Sequence, residues 1–411
     1  MTDRTYDVVV YGATGFTGKL VAEYLLSARP TSPSKDDLRW AIAGRNEAKL
    51  DAVRKDLGAP ELPILVADSQ DGAALDAITS QTKVIITTVG PFYAYGQEVV
   101  ASCVRNGTHY CDLTGETHFA RAMDRKHHAA AIESGARIVN NAGYDSIPSD
   151  LGVWMMHEAM KEKGATLQRV DCYCRAKGGA SGGTLDTMRQ SIKLAGEDRD
   201  VRRSMADPYA LYPEGEERGK DTRDVKGVSF ADDADSYVAP FVMAGTNAPI
   251  VRRSNALLGF PYGRDFRYSE TMTTGKGAGG WFRAWQTALG LGAFVMGMSM
   301  GPTRWVLDRV LPKPGEGPDK AAREAGWFKH LFVAKGVDPS GQEVVLRGMI
   351  GGDKDPGYGQ TAVMIAEAGL CLAFDEPGEG TLAGGVLTPT SAMGTPLIER
   401  LRAAGMQLEL V

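Results

Sequence analysis

The first third of this chain predicts an α/β fold, a doubly wound parallel sheet, on three observations. The segment "DVVVYGATGFTG", residues 7–18, runs from β-branched Val8–Val10 into glycines at 12, 15 and 18. A continuous apolar strand is the kind buried on both faces, as in a parallel sheet. Strand-like runs then recur at 6–11, 39–43, 62–67, 83–89, 108–113 and 136–141. Helical patterns such as 46–57, 96–106 and 118–134 separate them, and this alternation implies parallel strands joined by right-handed crossovers. Finally, small and polar residues gather just after these strands, where such sheets bind ligands.

The first turn carries the strongest signal. Phe16–Leu26 has apolar residues at helical spacing (Leu20, Val21, Tyr24, Leu25), so the glycines occupy a strand-to-helix turn. The unpaired N–H groups of a helix N-terminus suit an anionic diphosphate, and glycines let it approach the backbone. Gly12, Ala13, Thr14, Gly15, Phe16, Thr17 and Gly18 are therefore candidate cofactor-binding residues, all three glycines being expected to make room for the diphosphate. The same turn with nothing bound is the plainer alternative.

After the second strand comes "AGRN". An NAD fold would place an acid here for the ribose hydroxyls. This chain instead has Arg45 and Asn46, with Lys49 one turn on. A guanidinium engages a 2′-phosphate bidentately, so NADP(H) is the expected cofactor. Arg45 lies 33 residues beyond Gly12, an interval lengthened by the polar insertion "RPTSPSKDD". Asp68 and Ser69 after the third strand are placed for an adenine amine. Val89, Gly90 and Pro91 follow the fourth strand, opposite the first turn, and Asp112 follows the fifth. "NNAGYDSIPSD" follows the sixth and offers Tyr144 and Asp145 as catalytic candidates. A phenol there could donate a proton; alternatively Asp145 caps the next helix and Tyr144 packs beneath a second domain.

Length and composition set bounds. At 411 residues two domains are expected. With 43% hydrophobic residues, 24% charged residues and a net charge of −5, nothing favours nucleic acid as a partner. Five cysteines in so long a chain suggest no disulfide framework and a reducing, cytoplasmic compartment. The strand begins almost at once, so a signal peptide is not expected. Cys172 and Cys174 have no second Cys or His pair at a zinc-like interval, and His127–His128 reads as solvent-facing, so no metal site is expected. No charge occurs between Arg283 and Arg304, in "AWQTALGLGAFVMGMSMGPT", residues 284–303. The run is long enough to span a bilayer, but four glycines, a proline and polar residues weaken that reading. A buried or surface apolar helix is favoured, with peripheral membrane or lipid contact as the alternative.

These motifs resemble the saccharopine dehydrogenase-like oxidoreductases, in particular the trans-acting enoyl reductase branch. The resembling segments are "GATGFTG", "AGRN", "VGPF", "CDLTGE", "GYDSIPSDLG", "SGGT", "RRSNALL", "PGEGP" and "DPGYGQTA", from residue 12 to about 395. The family usually has Phe where Tyr144 stands. The resemblance implies an N-terminal Rossmann domain (1–150), a second α+β domain on a mostly antiparallel sheet (151–350), and a C-terminal segment (351–411) returning to the first. Residues 169–178, 330–335 and 344–352 read as strands and 358–373 as a helix, whereas 213–227 reads as a solvated excursion.

Tyr173 and Lys177 match a Tyr–Lys pair four apart, but their stretch alternates like a strand, which would hold them well over 10 Å apart. Hydride transfer is what remains. The resemblance implies an enoyl reductase acting on acyl or polyketide lipid precursors, the substrate small or acyl-chain and open to being carrier-bound. The apolar Trp281, Trp285, Phe294 and nearby methionines suit an acyl chain. Arg175, Lys177, Arg252 and Arg253 are the basic candidates for an alternative, a saccharopine-type reduction of an imine or amino acid. A non-catalytic NADP-binding redox sensor or lipid-surface protein, and assembly as a homodimer, also stay open.

Overall fold

A computed structural model describes residues 4–27, 31–34, 36–178, 182–221, 227–299, 303 and 317–411. The first sheet is wholly parallel and has seven strands. In chain order they are β1 (Tyr6–Tyr11), β2 (Trp40–Gly44), β3 (Ile64–Val66), β4 (Thr82–Thr87), β5 (His109–Asp112), β6 (Arg137–Val139) and, from far downstream, β13 (Gly385–Leu387). Their spatial order is β13-β6-β5-β4-β1-β2-β3, so the order reverses between β1 and β4, where such sheets open a crevice. Both faces are covered. Val8, Val10, Ile42 and Ile86 point into one core, and Val9, Tyr11, Ala41 and Ile85 into another.

The second sheet joins β7 (Thr166–Lys177), β8 (Ser229–Ala231), β9 (Ser236–Pro240), β10 (Arg267–Gly275), β11 (Trp327–Val337), β12 (Glu343–Gly352) and β14 (Gln407–Leu410). The order is β14-β12-β11-β7-β10-β9-β8, antiparallel except where β10 runs parallel to β7. Residues 351–411 thus serve both sheets, through β13 and β14. Helix Ile147–Glu162 joins the two bodies. It follows β6 directly, and its Gly152 lies so close to Phe332 of β11 that a Cβ would sit 2.2 Å from the ring. One apolar core therefore runs from Val8 and Ile86 to Phe328 and Phe332.

Several expectations are revised. His127 is buried, and His128 accepts from the Val386 backbone N–H at 3.2 Å and so anchors β13. Arg252 and Arg253 are buried structural groups. Arg252 pairs with Asp221 at 2.8 Å, and Arg253 pairs with Asp124 while donating to the Leu211 and Val386 carbonyls. The excursion at 213–227 is solvated through most of its described part, but Asp221 is buried. Residues 222–226 lie outside the described residues.

The uncharged run forms most of a surface helix, Gly277–Ser299. Its Ala284 and Met298 are buried, whereas Trp281, Phe282, Trp285, Leu289 and Met296 face outward, Phe282 and Leu289 being 64% and 65% exposed. Among the described residues no helix is long and apolar enough to cross a membrane.

Candidate functional site

At the first turn the three glycines have different duties. Gly12 adopts φ +94°, a left-handed conformation costly to other residues, and a Cβ there would lie 2.6 Å from Val89. At Gly18 a Cβ would lie 2.2 Å from the Gly12 carbonyl oxygen and 2.7 Å from Thr88 Oγ1. Those two glycines serve chain-to-chain packing, which corrects the expectation that all three clear space for a ligand. Gly15 is exposed, its absent Cβ meeting only the Gly12 carbonyl at 3.3 Å, so it is where a diphosphate can approach. No side chain caps helix Phe16–Leu26. Its first N–H groups, from Phe16, Thr17 and Gly18, remain for an anion. Thr14 is exposed beside them, while Ala13 is buried and supports the turn from below. The Phe16 ring packs edge-on against Tyr358, 5.3 Å between centroids, with the Arg323 guanidinium over it, so only its backbone is offered.

Beyond β2, Arg45 and Lys49 are exposed. Asn46 is committed otherwise: its Oδ1 accepts from Lys49 N at 2.9 Å and caps helix Glu47–Asp56. That cap fixes the turn from which Arg45 projects. Asp68 is exposed, one oxygen accepting from Gln70 N at 3.0 Å. Ser69 is buried beside the Tyr11 hydroxyl. Val89 is half-buried, Gly90 exposed and Pro91 buried. The loop they form is held by Glu116, a residue not singled out in the sequence. Its carboxylate accepts from Phe92 N at 2.7 Å and Tyr93 N at 2.9 Å. Burial pushes its pKa up to about 7 despite those bonds.

Asp112 is a correction. Its Oδ1 accepts from Thr114 N and Asn141 N, and its Oδ2 from Tyr110 Oη and Asn140 Nδ2, at 2.7–3.1 Å. Fully buried, with its pKa raised to about 6 by desolvation, it clamps the ends of β5 and β6 and has no oxygen aimed at a cofactor. Asn141 completes the clamp at φ +62°, a conformation Asn tolerates better than most residues. Asp112→Ala would strand four donors in the interior. We expect it to cost about 3 kcal/mol or more and to lower Tm by roughly 3–4 °C or more. Thermal unfolding checks this, an unchanged Tm being the contrary result.

The clamp delivers the two catalytic candidates to different places. Tyr144 is turned into the core, its hydroxyl 3.0 Å from His330 Nε2 and its ring edge-on to Phe328. It thus packs beneath the second sheet rather than facing the crevice. Asp145 takes the other direction. It is half-buried, its Oδ2 lies 3.5 Å from where a Gly115 Cβ would be, and no hydrogen bond reaches its carboxylate among the described residues. Nor does it cap the following helix, where Ser146 is the N-cap residue. Burial alone lifts its pKa to about 6. A carboxyl without a partner, whose pKa is raised toward neutrality, can act as a general acid.

Comparison with known proteins extends this geometry. Residues 8–167 match the saccharopine dehydrogenase NADP binding domain. A Mycobacterium tuberculosis protein provisionally named trans-acting enoyl reductase Rv2449c is 42% identical, covering 99% of this chain and 98% of its own length. The trans-acting enoyl reductase of Mycobacterium bovis is 38% identical over 98% of this chain and 97% of its own. Among solved structures, saccharopine dehydrogenase (L-Glu forming) of Saccharomyces cerevisiae shares the fold with a TM-score of 0.51 and 14% identity, covering 98% of this chain and 99% of that one.

Proposed function

This chain belongs to the saccharopine dehydrogenase-like oxidoreductases, in their trans-acting enoyl reductase branch, and we propose that it reduces the α,β-double bond of an acyl or polyketide thioester. It is an NADP-dependent oxidoreductase. The observation that carries the proposal is Asp145, a carboxyl with no hydrogen bond among the described residues and a pKa raised by burial, at the strand ends that also present an open dinucleotide turn.

The residues divide the work as follows. Gly15 and the first N–H groups of helix Phe16–Leu26 bind the diphosphate, and Arg45 with Lys49 binds the 2′-phosphate. The adenosine half then lies toward β2 and β3, and the nicotinamide half toward β4, β5 and β6. β6 stands three strands from β1, about 14 Å away. When bound, the cofactor supplies a hydride. Asp145 delivers the proton that must reach the α-carbon or the enolate oxygen, and Glu116 holds the loop after β4 in place.

The same residues argue against a saccharopine-type substrate. Such a molecule presents several carboxylates, yet Arg252 and Arg253 are committed to Asp221 and Asp124, and of the four basic candidates only Arg175 and Lys177 are exposed. Arg175 is stacked over Trp327. The outward apolar face at Trp281, Phe282, Trp285 and Leu289 supports an acyl chain, and contact with a lipid surface is part of the same proposal. NADPH consumption should be faster with long-chain 2-enoyl thioesters than with short ones, and a Trp281→Ser/Phe282→Ser variant should lose that preference. Turnover of saccharopine or a related amino dicarboxylate instead would overturn the reading.

A further inference from the structure

The pairing register of the second sheet assembles a cluster that sequence spacing does not reveal. Cys172 and Cys174 alternate along β7 and so share a face. Cys172 pairs with Glu270 on β10, and Cys174 with His330 on β11. One donor atom from each of the four residues lies within 4.8 Å of every other. All four are buried, Cys172, Cys174 and His330 completely.

We propose that Cys172, Cys174, Glu270 and His330 form a structural zinc site that staples the three central strands of the second sheet. The distances suit that ion. The two Sγ atoms are 3.7 Å apart, and Cys174 Sγ is 3.6 Å from Glu270 Oε1. Zn–S bonds of about 2.3 Å and Zn–O bonds of about 2.0–2.2 Å at the tetrahedral angle give edges of roughly 3.8 and 3.6 Å. Two sulfurs, an imidazole and a carboxylate on a closed four-donor set favour zinc over hard cations, which prefer oxygen.

The surroundings also resemble a built site. Glu270 Oε1 accepts from Ser149 Oγ at 2.7 Å and Asn247 Nδ2 at 3.1 Å, which orients the carboxylate. Tyr144 Oη holds His330 Nε2 at 3.0 Å, leaving Nδ1, which has no hydrogen-bond partner among the described residues, as the ligating nitrogen. Outer hydrogen bonds of this kind fix a ligand's tautomer and aim. They also give Tyr144 a duty that is not catalytic. On binding, each thiol loses its proton to solvent and becomes a thiolate ligand, with no change of oxidation state.

The test is metal analysis of the full chain, purified without chelators from zinc-supplemented cells. About one zinc per chain is expected, falling at least tenfold in Cys174→Ser and in His330→Asn. Protein produced with cobalt should show a near-ultraviolet thiolate-to-cobalt charge-transfer band, and this wild-type spectrum decides the matter even where the variants fail to fold. A wild-type chain nearly free of zinc and without the cobalt band would overturn the site. So would a Cys172–Cys174 disulfide, or zinc retained by folded variants. None of these outcomes depends on reductase activity.

Discussion

Asp145→Asn should lower kcat/KM for an enoyl thioester by about 10²–10⁴-fold, the usual worth of a positioned general acid. Asn keeps the shape and loses only the proton. Because burial raises the Asp145 pKa to about 6, wild-type activity should decline as pH rises through that value, and the variant should lack this limb. The sign of the stability effect separates chemistry from unfolding. A carboxyl whose pKa is raised in the folded state contributes stability below its ordinary value of about 4, and that contribution is lost as pH climbs through about 6. A neutral Asn escapes the loss, so the variant should be at least as stable as wild type at pH 8. Tyr144→Phe is the contrasting case: with its hydroxyl held by His330, single-turnover hydride transfer should be unchanged. A strong effect of Tyr144→Phe together with a silent Asp145→Asn would reverse the assignment.

The second large effect concerns cofactor choice. NADPH should bind at least tenfold more tightly than NADH, about 1.4 kcal/mol, and Arg45→Asp should abolish or invert the preference. Arg45 is exposed and stands on a turn fixed by the Asn46 cap, so an anion can meet it without disturbing the fold. Lys49, one turn on, adds a second positive charge. Fluorescence titration with both nucleotides checks this. Equal affinities in the wild type, or a preference that survives in Arg45→Asp, would contradict it.

The parts of the fold that were readable depend on local pattern. Val8–Val10, Ile85–Ile86 and their neighbours are continuous apolar runs because each is covered on both faces, so six strands of the first sheet were visible, but not the seventh, β13, which arrives from far downstream. The glycine turn was visible for the same local reason. What escaped depends on partners distant in the chain. A carboxylate after a strand reads alike whether it faces a ligand or clamps a neighbour, and Asp112 does the latter because Asn140 and Asn141 come from the turn just after β6. Asp221 looks solvated within a charged run, yet it is buried against Arg252. Cys172 and Cys174 showed no zinc-like spacing because their companions, Glu270 and His330, arrive by strand register from 96 and 156 residues downstream of Cys174. The uncharged run at 284–303 read as buried or superficial alike, since composition does not say which face of a helix meets water.

The most direct test of the central claim is the fate of the transferred hydrogen. NADPH carrying deuterium at the reactive nicotinamide carbon, incubated with the enzyme and a long-chain 2-enoyl thioester, should yield a saturated thioester labelled at the β-carbon. Mass spectrometry of the product reads the position. Label at the β-carbon is the predicted result, while an unreduced thioester, or label appearing on the amine-bearing carbon of an amino acid supplied as its imine precursor, would contradict it.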